Sequence, residues 1–363
     1  MDPHANAPRP VVRGGLAVTL VSASDLRSAS RVAAAAVGAS EAEPPAVVEA
    51  PDGDSGDLGA DIADGLIADA DDGRTGLAVV ALEPAADPLE VALVLEHVVE
   101  ARHPGATPIG ILDVVAVASV AEIRDVLLEP RDDAGTSLDD AERLAGRLEC
   151  ASVVVLDGWD PAWSSPDARH VVALLALLAP AARVVPVGDR ASLASAPLRI
   201  GRQRARRLAA GMGWQQALAG VMPAASVSSL ASSEGLGVHV FRDPRPFHPA
   251  RLHAAVAREL VPGPVGRIVR SRGLARLASR PATVGSWATA GDVLRLDPTA
   301  MASWDPESPA GQEIAFVGER LDGSLLDEIL GACLLEPGEL VAGPDAWHGY
   351  ADPFPAWDTE HRH

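Results

Sequence analysis

Phe241-Arg242-Asp243-Pro244-Arg245-Pro246-Phe247-His248-Pro249-Ala250-Arg251-Leu252-His253 reads as the end of a strand, a turn and the start of a helix. Before it, Gly237-Val238-His239-Val240-Phe241 alternates small or polar residues with apolar ones, the period of a half-buried strand. Pro244 and Pro246 end that strand, because proline cannot donate to a sheet ladder. Pro249 stands where a first helical residue belongs, since its missing N–H has no intrahelical partner there. From that point Leu252, Val256 and Leu260 recur every fourth residue and form one helical face. With His239 included, the segment also gathers three histidines and three arginines.

The pattern FxxxRPFHPxRLH is followed by Arg270-Ser271-Arg272-Gly273, Trp287-Ala288-Thr289-Ala290-Gly291, Gln312-Glu313-Ile314-Ala315-Phe316-Val317-Gly318 and Cys333-Leu334-Leu335. In that order these motifs resemble the C-terminal domain of CobW-type proteins, P-loop GTPases of the metallochaperone class. The resemblance runs from about Gly237 to Trp357. It implies GTP with Mg²⁺ as cofactor and zinc or another metal as cargo.

Composition sets the outer limits. A chain of 363 residues suggests two domains, each large enough to bury a core. Hydrophobic residues make up 48% but aromatics only 3%, so Ala, Val and Leu must fill that core. The two cysteines, Cys150 and Cys333, lie far apart and give no disulfide framework, which suits a reducing cytoplasm. The most apolar run, Val171 to Ala182, is too short to span a bilayer, and no membrane partner is expected. The chain contains no lysine, so all 30 of its basic side chains are arginine. A Walker A loop uses a lysine ammonium to reach the β- and γ-phosphates, and this chain has none to supply.

Charge is unevenly placed. From Arg199 to Arg280 there are 14 Arg against three acids, Glu234, Asp243 and Glu259; elsewhere 16 Arg face 47 acids. Two readings stand: arginines on solvated faces, or a basic face for an anionic partner such as RNA or a ribonucleoprotein. Few aromatics interleave, so phosphate contact rather than base stacking would carry such binding. On the second reading Arg251, Arg267, Arg270, Arg272 and Arg276 are the partner-binding residues.

Residues 1–15 read as a loose tail. From 16 to 187, strands and helices alternate, which predicts a mainly parallel sheet with helices on both faces; the resemblance implies that it is of the P-loop type. Leu16 to Val21 is its first strand, Ala46 to Glu49 a short second one, and Gly76 to Glu83 a third. Asp52 to Asp72, with eight aspartates, reads as a flexible acidic loop. The α/β domain extends to about 210, a linker to 236, and a smaller α+β domain covers 237–345 with outward-pointing arginines on its strand Gly266–Ser279. A tail, 346–363, carries His348, His361 and His363.

Against the resembled family, the first strand leads into Ser22-Ala23-Ser24-Asp25-Leu26-Arg27-Ser28 rather than a Gly-rich loop. Ser28 or Ser30 can offer a hydroxyl to a nucleotide, with Ser28 taken as the candidate, but Asp25 sits where anions would go. Glu83 and Asp87-Pro88 match the switch segment, with Ala86 at its glycine position. Asp157-Gly158-Trp159-Asp160 replaces the guanine-reading Asn-Lys-x-Asp, so only Asp160 survives. Trp159 or Trp163 could stack on a ring or pack on the sheet. The Cys-x-Cys-Cys metal motif is missing; His239, His248 and His253 are the candidate ligands that remain. No catalytic triad or carboxylate pair stands out. The expectation is a non-hydrolysing adaptor in metal homeostasis. The alternatives are an active GTPase metallochaperone with unusual site residues, a ribosome- or RNA-associated factor, or a subunit paired with an intact homologue that contributes the nucleotide.

Overall fold

The computed structural model describes residues 15–37, 54–104, 109–129, 138–162, 165–187, 204–290, 293–303 and 311–357. The expected strand at 46–49, Trp163, His361 and His363 lie outside the described residues. The chain divides into two units, Met1–Asp125 with Arg143–Met212, and Val126–Glu142 with Gly213–His363.

The first unit is an α/β fold built on a parallel sheet of order β2-β1-β3-β4-β5. Its strands are β1 (Leu16–Ala23), β2 (Gly76–Ala81), β3 (Ile109–Ser119), β4 (Val153–Asp157) and β5 (Arg183–Pro186). All eight residues of β1 are buried, as a central strand covered on both faces requires. The helices α1 (Leu26–Val37), α2 (Ser55–Asp71) and α3 (Pro88–Arg102) follow in chain order.

Helix α2 corrects the expectation of a flexible acidic loop. Asp54 caps it by accepting from Gly56 N at 2.8 Å. Leu58, Ile62, Leu66 and their neighbours Ala63 and Ile67 form a buried stripe, and Asp57, Asp61 and Asp64 face water. After β3 the chain is helical in two short pieces. A single α-helical turn, α4 (Val120–Ile123), carries a Ser119–Glu122 capping box, and a π-helical turn follows at Arg124–Leu128. Further along come α5 (Leu138–Glu149), α6 (Pro166–Leu178) and α7 (Arg204–Ala210).

The second unit is a separate α+β domain on an antiparallel sheet of order β6-β10-β7-β8-β9. Its strands are β6 (Leu236–Asp243), β7 (Arg267–Ala275), β8 (Thr283–Ala290), β9 (Val293–Ala302) and β10 (Gln312–Glu319). Within the expected linker lie two helices, α8 (Gly213–Leu218) and α9 (Ala225–Ser233). Helices α10 (Pro249–Arg258) and α11 (Gly323–Cys333) supply Leu252, Ala255, Leu326 and Leu330 to a core that also holds Phe241, Phe247, Trp287 and Phe316. A last helix, α12 (Pro337–Trp347), bends at Gly343-Pro344. Residues 348–357 do not form a loose tail: Phe354 and Trp357 pack against the same core. Among the described residues no helix is long and apolar enough to cross a membrane.

Candidate functional site

In a doubly wound sheet, ligands bind beyond the carboxyl ends of the strands, where the order reverses. Here the reversal falls between β1 and β3. An α1 N-terminus after β1 is the natural phosphate site, because its first amides lack intrahelical acceptors. In this chain the Asp25 carboxylate takes that position. It accepts from Ser28 N at 2.8 Å, and its main-chain carbonyl accepts from Ala29 N at 3.2 Å. Hydrogen bonding from Ser28, side chain first and then amide, holds the Asp25 carboxyl below its usual range. Ser28 is half-buried and its hydroxyl accepts from Arg31 at 3.5 Å.

Carboxylates also stand after β2, β3 and β4. After β2, Asp87 caps α3 by accepting from Leu89 N and Glu90 N at 2.8 and 3.3 Å, and its own amide donates to Ser55 Oγ at 2.9 Å. Ala86, at the switch glycine's place, is buried. After β3, Glu122 joins the capping box and accepts from the buried Arg147 at 3.3 Å. After β4, Asp157 accepts from Gly158 N at 2.9 Å and Asp160 from Ala162 N at 2.8 Å. Both aspartates are exposed and Trp159 is half-buried. A guanine nucleotide does not fit this set. The helix amide is taken by an anion, the strand ends carry carboxylates, and the chain has no lysine.

In the second unit the FxxxRPFHPxRLH motif is a structural knot. Phe247 N donates to Arg276 O and its carbonyl accepts from Ala278 N, at 2.8 and 2.9 Å; His248 N donates to Cys333 O at 2.8 Å. The Gln312 amide donates to Arg245 O and Arg276 O at 2.8 and 3.2 Å and accepts from Arg276 N at 2.8 Å. That clamp was invisible in the sequence, where Gln312 marked only a motif. Trp287 Nε1 donates to Ser271 Oγ at 2.8 Å inside the core.

The three candidate metal ligands go different ways. His239 Nε2 pairs with Asp327 at 2.8 Å. His248 begins α10 without a side-chain cap and stacks on Tyr350 at 4.6 Å between ring centroids. Burial, then the Arg251 charge, pushes its imidazole below the ordinary histidine pKa. His253 meets the edge of Phe354 at 5.5 Å. Among the described residues no group of three or more His, Cys, Asp or Glu side chains is placed to hold a metal ion. The histidines therefore do not come together as a zinc set. Cys333 is buried on α11, its thiol pushed up to about 11 by burial. Cys150 is buried too.

The arginines expected to face a partner are largely turned to the domain's own groups. Arg270 does not point outward: it is 1% exposed, holds both oxygens of Glu142 and donates to Thr289 O at 3.1 Å. Arg272 joins the same carboxylate at 2.7 Å. Burial pushes Glu142 up, but Arg270, Arg272 and Arg295 outweigh it and hold the carboxyl low. Arg276 donates to Ser303 O at 3.1 Å. Arg251 holds Glu339 through two bonds, at 2.9 and 2.6 Å, and Leu334 O at 2.8 Å. Arg267 is half-buried at the start of β7, opposite Glu319. Glu142 and Glu339 were not foreseen as partners, since each lies about 90 residues or more from its arginine.

Residues 236–334 match the family model of the cobalamin synthesis protein cobW C-terminal domain. Over 321 residues the chain is 31% identical to Zinc chaperone Rv0106 of Mycobacterium tuberculosis, covering 80% of this chain and 74% of that protein. It is 24% identical over 252 residues to Zinc-regulated GTPase metalloprotein activator 1 of Dictyostelium discoideum, covering 62% of this chain and 51% of the other. Among solved structures, Zn(II)-bound YjiA GTPase from E. coli aligns at a TM-score of 0.35 and 13% identity, over 88% of this chain and 99% of that one.

Proposed function

The chain belongs to the CobW family, and from that premise we propose that it is a non-hydrolysing member, an adaptor or binding module acting in metal homeostasis. The observation that carries this reading is the Asp25 carboxylate on the first turn of α1. A bound phosphate would have to displace a carboxylate already hydrogen-bonded there and then remain beside its charge, with no lysine to offset either. The names of the relatives, a zinc chaperone and a zinc-regulated activator, support a setting in metal physiology. The adaptor's partner is a client protein, a ribonucleoprotein or an intact homologue that contributes the nucleotide.

Calorimetry of GTP and GDP with Mg²⁺, with and without Zn²⁺, tests the reading on the purified chain. No binding heat up to high micromolar nucleotide is expected. Saturable binding of GTP, with zinc-dependent turnover, overturns it in favour of an active GTPase metallochaperone whose arginines and backbone rebuild the phosphate site.

A further inference from the structure

The last described residues lie on the second unit as a strap held by four side chains. Tyr350 stacks on His248 and Phe354 meets His253, at 4.6 and 5.5 Å between ring centroids. Asp352 accepts from Arg280 Nε at 2.8 Å and from Ser279 Oγ at 2.6 Å. Trp357 lies under the Arg280 guanidinium, 4.4 Å from its ring centroid, and donates from Nε1 to Leu296 O at 2.8 Å. Gly285 makes the notch for that ring: a Cβ there would come within 2.9 Å of Trp357 Cζ2.

The surface is better equipped than the strap uses. The Arg280 side chain is 15% exposed, yet its Nη1 has no hydrogen-bond partner among the described residues. Buried guanidinium donors are strongest when a carboxylate takes two of them in parallel, and Asp352 takes one. The His248 Nδ1, below Tyr350, is likewise buried and unpartnered. Between β9 and the strap a cavity of about 470 Å³ stays open, lined by Leu294, Leu296, Pro298, Phe354 and Trp357 among others. Residues 351–357 make no main-chain to main-chain hydrogen bond among the described residues. The strap's one main-chain anchor among the described residues is Phe354 O, which accepts from Arg280 Nη2 at 3.1 Å; a segment with so few main-chain bonds is among the first to open locally.

We propose that this surface is a docking site for a peptide segment of a partner protein, and that the strap fills it in cis. The ligand carries an acidic side chain two residues before one aromatic ring and five before another, the spacing of Asp352, Phe354 and Trp357. Arg280 selects the acid, the Gly285 notch and the guanidinium face select the second ring, and His253 meets the first. A partner segment that also satisfies Arg280 Nη1 and covers the β9 side of the cavity more fully than Phe354 and Trp357 do outcompetes the strap, whose advantage is its tether. This inference is independent of whether nucleotide binds.

The test uses the full chain and a fluorescein-labelled peptide with the sequence of residues 349–358. Fluorescence polarisation compares the wild type with the strap-released variant Asp352→Asn/Trp357→Ser, and with that variant carrying Arg280→Met. Release removes the tethered competitor, so the released variant should bind at least about tenfold more tightly than the wild type. Arg280→Met, or a peptide with Asn for its Asp, should remove most of that gain. Near-UV circular dichroism checks folding. Should the double variant not fold, Asp352→Asn alone serves, with a gain of at least about threefold expected from loss of one charge-assisted contact. A folded, released variant that binds no better than wild type overturns the proposal, as does binding that is indifferent to Arg280→Met.

Discussion

Replacing Arg251 with Met keeps the aliphatic stem but removes the guanidinium that joins α10 to α12 and to the turn after α11. Three bonds are lost, two to Glu339 at 2.9 and 2.6 Å and one to Leu334 O at 2.8 Å. A hydrogen bond to a charged partner contributes about 1.5–3 kcal/mol when shielded. The two side chains are 32% and 25% exposed, so water screens part of that. A net loss of about 2 kcal/mol follows, or about 4–8 °C in the melting midpoint of a unit this size. Protonation supplies a second, sharper reading. The Arg251 hydrogen bonds hold Glu339 at about 2, from an ordinary value of 4.5. A carboxyl with a depressed folded pKa stabilises fully above its unfolded pKa and loses that contribution as pH falls through the folded one. The stability gap between wild type and Arg251→Met should therefore be full at about pH 6 and shrink steadily below about pH 4.5. With the carboxylate a quarter exposed, the pH-dependent part is about 1–2 kcal/mol. Urea titrations followed by tryptophan fluorescence at several pH values measure it, with Glu339→Gln as the second arm of a double-mutant cycle. A gap that is flat with pH, or a loss below about 0.5 kcal/mol, would refute the assignment of Arg251 as a brace.

Two further expectations concern the same domain. Gly273→Ala puts a Cβ 2.0 Å from Glu313 O and 2.7 Å from Ile314 Cα, both main chain, so β7 and β10 must separate. A loss above about 3 kcal/mol, or failure to accumulate folded protein, is expected by thermal melting, and a near-wild-type midpoint contradicts it. Cys333, buried with its thiol raised to about 11, should react with a disulfide reagent at neutral pH only upon unfolding. Rapid labelling of the folded chain would mean that α11 opens far more readily than its packing indicates.

Much of the fold was legible because period and punctuation agreed. Around Pro249 the strand, the proline turn and the four-residue apolar repeat all pointed the same way, and β6 and α10 follow them closely. The loop expected at Asp52 to Asp72 shows where composition misleads. Eight aspartates suggested solvation, yet Leu58, Ile62 and Leu66 already stood at helical spacing with Asp54 in the capping place. The absence of the family's phosphate-binding residue types was visible; that Asp25 hydrogen-bonds the first turn of α1 was not, since capping depends on a side-chain rotamer. Arg270, expected to point outward, was misread for a physical reason. A strand's period says which face a side chain takes, not what covers that face. Glu142, 128 residues from Arg270, is beyond any local pattern.

The motif that places this chain in its family is architectural, which bears on what membership implies. Phe247 ties together the turns at 276–278 and 333–335, Gln312 clamps two main-chain segments, and Arg251 braces a helix. Remove any of these and the second unit loosens whether or not GTP is bound elsewhere. The phosphate lysine, the glycine loop and the base-reading lysine have no such second duty: they touch only the nucleotide. A chain relieved of hydrolysis can lose the latter set at little cost in folding, but must keep the former. On the proposed reading that asymmetry accounts for an intact knot in the second unit and for carboxylates after the strands of the first. On that reading, partner binding falls to the second unit, where Arg280 Nη1 has no hydrogen-bond partner among the described residues.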